Sequence, residues 1–197
     1  MLLTIKEKLV LRALSAGINS DYSINQIAEQ CDLSPNGAYK LLKKLEKEGI
    51  LKVKLIANIK SYKLNFDDEK TERILALALM PYGLDERVKN RAQDLKALKD
   101  VTAACILFGS YITSKQKPND LDVLFMLEKK NFNPYKKTLA KVQDIMPVKI
   151  HDVIQTRDDL TQNLKKNDPI VTQAMLKGRV LWGFDALVEG IKNAAKD

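Results

Sequence analysis

The best candidates for chemistry in this chain are four residues in one short segment. Gly109 and Ser110 follow an apolar run, 103–108, that is typical of a buried strand, and a second apolar run begins at Asp120 and Asp122. Main-chain N–H groups after such a turn can bind a phosphate, and a serine hydroxyl can add a hydrogen bond. Because strand side chains alternate between faces, the two aspartates share one face. Paired carboxylates beside a phosphate site suit Mg²⁺, so the pattern predicts a magnesium-phosphate site.

This Gly-Ser pair, followed by a short helix and an Asp-x-Asp strand, resembles the DNA polymerase β-type nucleotidyltransferase superfamily, particularly its small members. The resemblance implies that Gly109 and Ser110 bind a nucleoside triphosphate. It also implies that Asp120, Asp122 and a third carboxylate on a neighbouring strand hold two Mg²⁺ ions. The reaction implied is transfer of a nucleoside monophosphate to an acceptor hydroxyl.

Asp152 is the candidate for the third catalytic and metal-binding carboxylate. Asp158 and Asp159 compete for this position, but favourable placement at a helix start already explains them. It lies among apolar residues in the strand-like segment 148–154, where a carboxylate without a partner is costly. His151, the sole histidine, alternates with Asp152 along that strand, so we expect it to face the other way. We expect its role to be structural or to be support of the site residues without direct participation. The sequence departs from the usual motif at Ser114, where the family has glycine, and at Asn119, where it has serine.

The amino-terminal third predicts three helices. Ser23 with Gln26 has the spacing of a capping box for the second helix, and Ser34-Pro35 is a start signal for the third, which Gly49 ends. The third helix places its leucines on one side and its polar residues on the other. A hairpin follows, with a turn at Ala57-Asn58 and lysines on its exposed face.

This order of elements resembles a winged helix-turn-helix domain, which implies binding to double-stranded DNA. The positive charge of the chain, +8 in all, is concentrated there: residues 1–66 hold 11 Lys/Arg against 6 Asp/Glu. Lysines neutralise phosphates, while the start of the third helix is placed for base edges. The candidate DNA-binding residues are Asn36, Tyr39, Lys40, Lys43, Lys47, Lys52, Lys54 and Lys60.

The sequence thus predicts an α+β protein. The winged helix-turn-helix domain, with three helices and a β-hairpin, spans 1–66, and a connector helix and break span 67–83. A small mixed-sheet nucleotidyltransferase-like domain with flanking helices spans 84–197. The uniformly apolar stretch 74–80 must be covered, either by the second domain or by a second copy of the chain in a homodimer.

The sequence is compatible with three functions. The first is a DNA-binding, Mg-dependent nucleotidyltransferase. The second is a transcriptional regulator whose transferase-like domain is inactive and serves as a sensor or dimer scaffold. The third is the antitoxin of a toxin-antitoxin pair, with a toxin as partner. The sequence shows no apolar stretch long enough for a membrane span, and Cys31 and Cys105 are expected to be reduced thiols, so we expect a cytoplasmic protein.

Overall fold

The computed structural model describes residues 3–56, 59–113, 118 and 120–196. The predicted turn at Ala57-Asn58 and the motif departures at Ser114 and Asn119 lie outside the described residues. Within the described ranges, no helix is both long enough and apolar enough to cross a membrane.

The first domain consists of three helices and a two-stranded antiparallel hairpin. Ser23 accepts a hydrogen bond from the Gln26 main chain in a capping box. Ser34 accepts one from the Gly37 main chain, and Pro35 is the first residue of the helix that follows. Both predicted helix starts are therefore confirmed. The elements are α1 (Ile5–Ala16), α2 (Ile24–Gln30), α3 (Pro35–Lys47), β1 (Leu51–Ile56) and β2 (Ile59–Leu64).

The rest of the chain forms a four-stranded sheet with helices on both faces, which confirms the predicted α+β class. The strand order is β5-β4-β3-β6, with β4 and β5 parallel and the other pairs antiparallel. The helices are α4 (Glu69–Leu79), α5 (Glu86–Asp94), α6 (Ser110–Thr113), α7 (Phe132–Ile145), α8 (Arg157–Lys165), α9 (Pro169–Lys177) and α10 (Phe184–Ala194). The strands are β3 (Ala104–Phe108), β4 (Asp120–Met126), β5 (Lys149–Gln155) and β6 (Arg179–Trp182), and 3₁₀ turns occupy Leu95–Asp100 and Lys129–Asn131.

Two hydrophobic cores lie on opposite faces of this sheet. One face, through Ile106 and Leu124, packs with α8, α9 and α10 and is continuous with the core of the first domain. The other face, through Leu107 and Phe125, packs with α7 and Tyr135. The sheet itself therefore separates the cores, and the first domain shares a core with half of the second.

Helix α4 is covered within the chain by α10 of the second domain, as one alternative expected, and also by α1 of the first domain, which neither alternative included. Ile74, Leu75 and Leu79 are buried, while Leu77 and Met80 remain partly exposed. A dimer is thus not required to cover this helix.

Arg12 of α1 reaches across to the second domain at the end of α9. Its Nη2 donates to the main-chain oxygens of Met175 at 2.7 Å and Gly178 at 2.6 Å, and its Nε donates to Met175 at 3.0 Å. A cation at a helix C-terminus is favourable because the last carbonyls carry partial negative charge. This contact fixes α1 against the second domain.

Candidate functional site

Asp120 and Asp122 lie on one face of β4, as predicted, beside the bend that follows β3. Gly109 at this bend has φ of 74°, and a Cβ there would lie 2.0 Å from Oδ2 of Asp122. Only glycine leaves room for the carboxylate in this left-handed conformation. Burial, and then the charge of Asp120, raise the pKa of Asp122 above its usual value. Ser110 is exposed at the start of the four-residue α6.

His151 is the residue of β5 that faces this carboxylate pair. It is paired in register with Asp122 on the parallel strand, which places both side chains on one face. Its Nδ1 lies 3.4 Å from Oδ2 of Asp120 and 3.7 Å from Oδ1 of Asp122. The expectation that His151 faces away from Asp152 is therefore correct, but it is His151 that joins the aspartates.

Asp152 faces the other side of the sheet, so the prediction that it completes the site as third carboxylate is wrong. It is paired with Val123, and its Oδ2 accepts hydrogen bonds from the Tyr135 hydroxyl at 2.9 Å and from Lys136 Nζ at 3.2 Å. Burial, followed by the negative charge of Asp152, raises the pKa of Tyr135. Asp152 thus has its own partners and is directed away from Asp120 and Asp122.

The residues present do not fit the two-magnesium site that the resemblance implies. Among the described residues, no group of three or more His, Cys, Asp or Glu side chains is arranged to hold a metal ion. An imidazole, that of His151, and not the third carboxylate Asp152, lies beside Asp120 and Asp122, whereas Mg²⁺ prefers hard oxygen ligands. The described side chains in contact at this end of the sheet include the carboxylates of Asp120 and Asp122 and the imidazole of His151.

The exposed face of α3 carries the residues that were predicted to contact DNA. Asn36, Tyr39, Lys40 and Lys47 are exposed, and no carboxylate of the described residues forms an ion pair with either lysine. Lys43 is different because its Nζ is paired with Glu46 at 2.6 Å. The apolar side of the helix is buried through Ala38, Leu42 and Leu45.

Residues 3–52 match the model of the winged helix-turn-helix DNA-binding family. The amino-terminal domain is a winged helix-turn-helix. A second match, over residues 83–175, is to a family of unknown function, DUF6932, and it includes the carboxylate pair. No curated protein and no solved structure matches the chain significantly.

The lysines of the wing do not share one face. In the hairpin register Lys60 is opposite Leu55, on the face that carries the buried Tyr62 against α3, whereas Lys52 and Lys54 lie on the other face. The expectation of a single lysine face is therefore wrong for Lys60. Lys52 is also paired with Asp67 at 3.4 Å.

Lys44 is a residue of the winged-helix domain that the sequence pattern did not single out. Its Nζ is 2.7 Å from Oε1 of Glu7, which is 1% exposed in α1. Burial would raise the pKa of Glu7, but the hydrogen bonds from Lys44 and Thr4 outweigh it and hold that pKa below its usual value. A glutamate three residues after Thr4 predicts the capping box that Glu7 makes, but nothing local indicates its partner on α3.

Proposed function

We propose that the protein is a DNA-binding transcriptional regulator whose second domain is not a catalyst of nucleotide transfer. The observation that carries the proposal is the exposed, cationic face of α3 within a winged helix-turn-helix domain. Lys40 and Lys47 have no ion-pair partner among the described residues, so their charge is available to phosphates.

In this proposal α3 enters the major groove of duplex DNA. Asn36, Tyr39 and Lys40 lie near the N-terminus of the helix, which is the end that contacts base edges in this class of domain. Lys47, at the other end, contacts the phosphate backbone. Lys60, which is exposed near the start of β2, would add a further contact to the phosphate backbone.

Asp152 does not supply the third carboxylate for transfer chemistry, because it points to the opposite face of the sheet. Two metal ions stabilise both the attacking and the leaving oxygen in phosphoryl chemistry, and that arrangement needs a full set of oxygen ligands. A role as sensor or scaffold fits the geometry better than turnover.

Side chains of α1 connect the second domain to α3. Arg12 joins α1 to the end of α9, and Glu7 joins the same helix α1 to Lys44 on α3. A displacement of α9 would therefore be transmitted through α1 to the DNA-contacting helix. This continuity supports a regulator in which the second domain controls DNA affinity.

DNA binding is tested by fluorescence anisotropy with a labelled mixed-sequence duplex. Lys40→Gln with Lys47→Gln should weaken binding about tenfold and make the slope of log affinity against log salt shallower by about two. The matched control is Lys96→Gln with Lys99→Gln, which removes the same charge from exposed positions far from α3 along the chain. Equal loss in both double variants, or no duplex binding by the unaltered chain, would overturn the proposal.

The absence of transfer is tested separately. The unaltered chain is incubated with Mg²⁺ and each α-labelled nucleoside triphosphate, with protein, RNA and small hydroxyl compounds as acceptors. We expect no labelled product above the level of an Asp120→Asn, Asp122→Asn variant. Product that this double substitution abolishes would show an active transferase and refute the non-catalytic role.

A further inference from the structure

A small cavity of about 240 Å³ lies where the two domains meet. It is bordered by α1, by the end of α4 with the segment 81–83, and by the start of β6. Its apolar walls are Ile5, Leu9, Ala78, Met80, Pro81 and Tyr82. Several of these are unusually exposed for apolar side chains: Ile5 is 63% exposed and Tyr82 is 58% exposed.

Three cationic side chains line the same cavity: Lys8, Arg12 and Arg179. Among the described residues, no carboxylate forms an ion pair with any of them. Their hydrogen bonds are to main-chain oxygens, and Lys8 Nζ also lies 4.3 Å from the centre of the Tyr82 ring. Lys8 donates to Met80 at 2.6 Å, and Arg179 donates to Lys177 at 3.4 Å.

These carbonyls neutralise the cations only in part. They belong to the ends of α4 and α9, where a helix terminus carries roughly half an elementary charge. Three full positive charges therefore meet two partial negative ones. The side chains that line the cavity therefore carry a net positive charge, and an anion inside it would be attracted by Lys8, Arg12 and Arg179.

Arg12 is the most buried of the three, with 7% of its surface exposed. Its Nε and Nη2 are bound to carbonyls, while its Nη1 has no hydrogen-bond partner among the described residues. Burial, and then the charge of Arg179, lower the pKa of Arg12 to about 10. Burial, and then the charge of Arg12, lower the pKa of Lys8. The cations thus repel one another without an acid between them.

We propose that this cavity binds a small organic anion: a carboxylate or a phosphate monoester attached to an aromatic or short aliphatic group. The anionic group would lie between Arg12 and Arg179, because charge-assisted hydrogen bonds to guanidinium groups are strong and directional. The apolar group would pack on Leu9, Met80 and Tyr82. The volume fits a molecule of about the size of benzoate, below the range of most drug-sized pockets.

The location of the cavity would let a bound ligand contact both domains. The ligand would contact α1, which leads to the DNA-binding helix, and β6, which belongs to the sheet of the second domain. If the regulatory role proposed above holds, this ligand is its effector. The binding site itself does not depend on that role.

The test is titration calorimetry of the full chain with benzoate and phenyl phosphate, with benzyl alcohol and inorganic phosphate as comparison ligands. We expect saturable one-to-one binding of at least one of the two aromatic anions, at least about tenfold tighter than that of inorganic phosphate, and no binding of the neutral alcohol. Arg179→Gln should weaken it about tenfold, and Lys8→Gln should weaken it less. Arg73→Gln, which alters an exposed arginine of α4 outside this cavity, should leave the affinity unchanged.

Three results would overturn the proposal. They are no saturable heat with either aromatic anion, equal loss of affinity in Arg73→Gln, and inorganic phosphate binding as tightly as phenyl phosphate. Since the titrations contain no DNA, a failure of DNA binding leaves their outcome interpretable.

Discussion

The guanidinium of Arg12 in α1 donates two hydrogen bonds to the main-chain oxygen of Met175 at the end of α9. These residues are 163 positions apart, and their contact is buried at the junction of the two domains. It means that the winged-helix domain and the second domain are held together by a charged group as well as by a shared core.

Arg12→Met should therefore destabilise the whole chain. The substitution keeps an apolar side chain of similar length but leaves the oxygens of Met175 and Gly178 without a donor. We expect a loss of about 2–3 kcal/mol, as for a charged hydrogen-bond donor removed from a buried site. Urea unfolding should be followed by circular dichroism and by the fluorescence of Trp182, the only tryptophan.

The two probes should give one common transition, because the first domain shares a core with one face of the sheet that contains Trp182. Arg73→Met, on the exposed surface of α4, serves as control. A change below about 0.5 kcal/mol in Arg12→Met, the size expected of a surface substitution, would contradict the structural role of the contact.

Gly109→Ala should also be destabilising, by about 2 kcal/mol or more. The new Cβ would lie 2.0 Å from Oδ2 of Asp122, and φ of 74° is strained for any residue with a Cβ. Adding Asp122→Ala should restore part of the stability, since it removes the clashing oxygen but not the backbone strain.

Gly83→Ala provides the comparison for this prediction. Nothing lies within 4 Å of a Cβ at Gly83, and its φ is not positive. That variant should be neutral or more stable by a few tenths of a kcal/mol because alanine restricts the unfolded chain. If both glycine variants had equal thermal midpoints, the close approach of Gly109 to Asp122 would be disproved.

Glu7 should make stability depend on pH in the acid range. Its pKa in the folded chain lies below the ordinary value of 4.5, so the unfolded chain binds its proton more readily. The stabilisation is fully present above that value and is lost as the pH falls through the lowered pKa.

Glu7→Gln should thus cost about 1–2 kcal/mol near neutral pH, and the difference from the unaltered chain should shrink as the pH falls to about 3. Thermal unfolding between about pH 3 and 7 measures this. In Glu29→Gln, at an exposed position of α2, the thermal midpoint should change with pH in the same way as that of the unaltered chain. A constant difference across the range in Glu7→Gln would show that the Lys44 pair contributes no pH dependence.

Local sequence patterns correctly predicted where α2 and α3 begin and which face of α3 is buried. Ser23, Ser34 and Pro35 act on the main chain within three residues of themselves, so their effect is readable without the rest of the fold. The same is true of Asp120 and Asp122, because alternation along one strand suffices to place them together.

The sequence alone determined which segments are helices and strands, that the third helix is amphipathic, and that two aspartates share a strand face, since these depend on neighbours a few residues away. Only the tertiary structure decided that His151 and not Asp152 joins them. Gln143 binds the oxygen of Val148 and the N–H of Ile150, which fixes where β5 begins beside β4. A shift of one residue in that pairing would reverse which side chains face the carboxylates, and no local pattern encodes it.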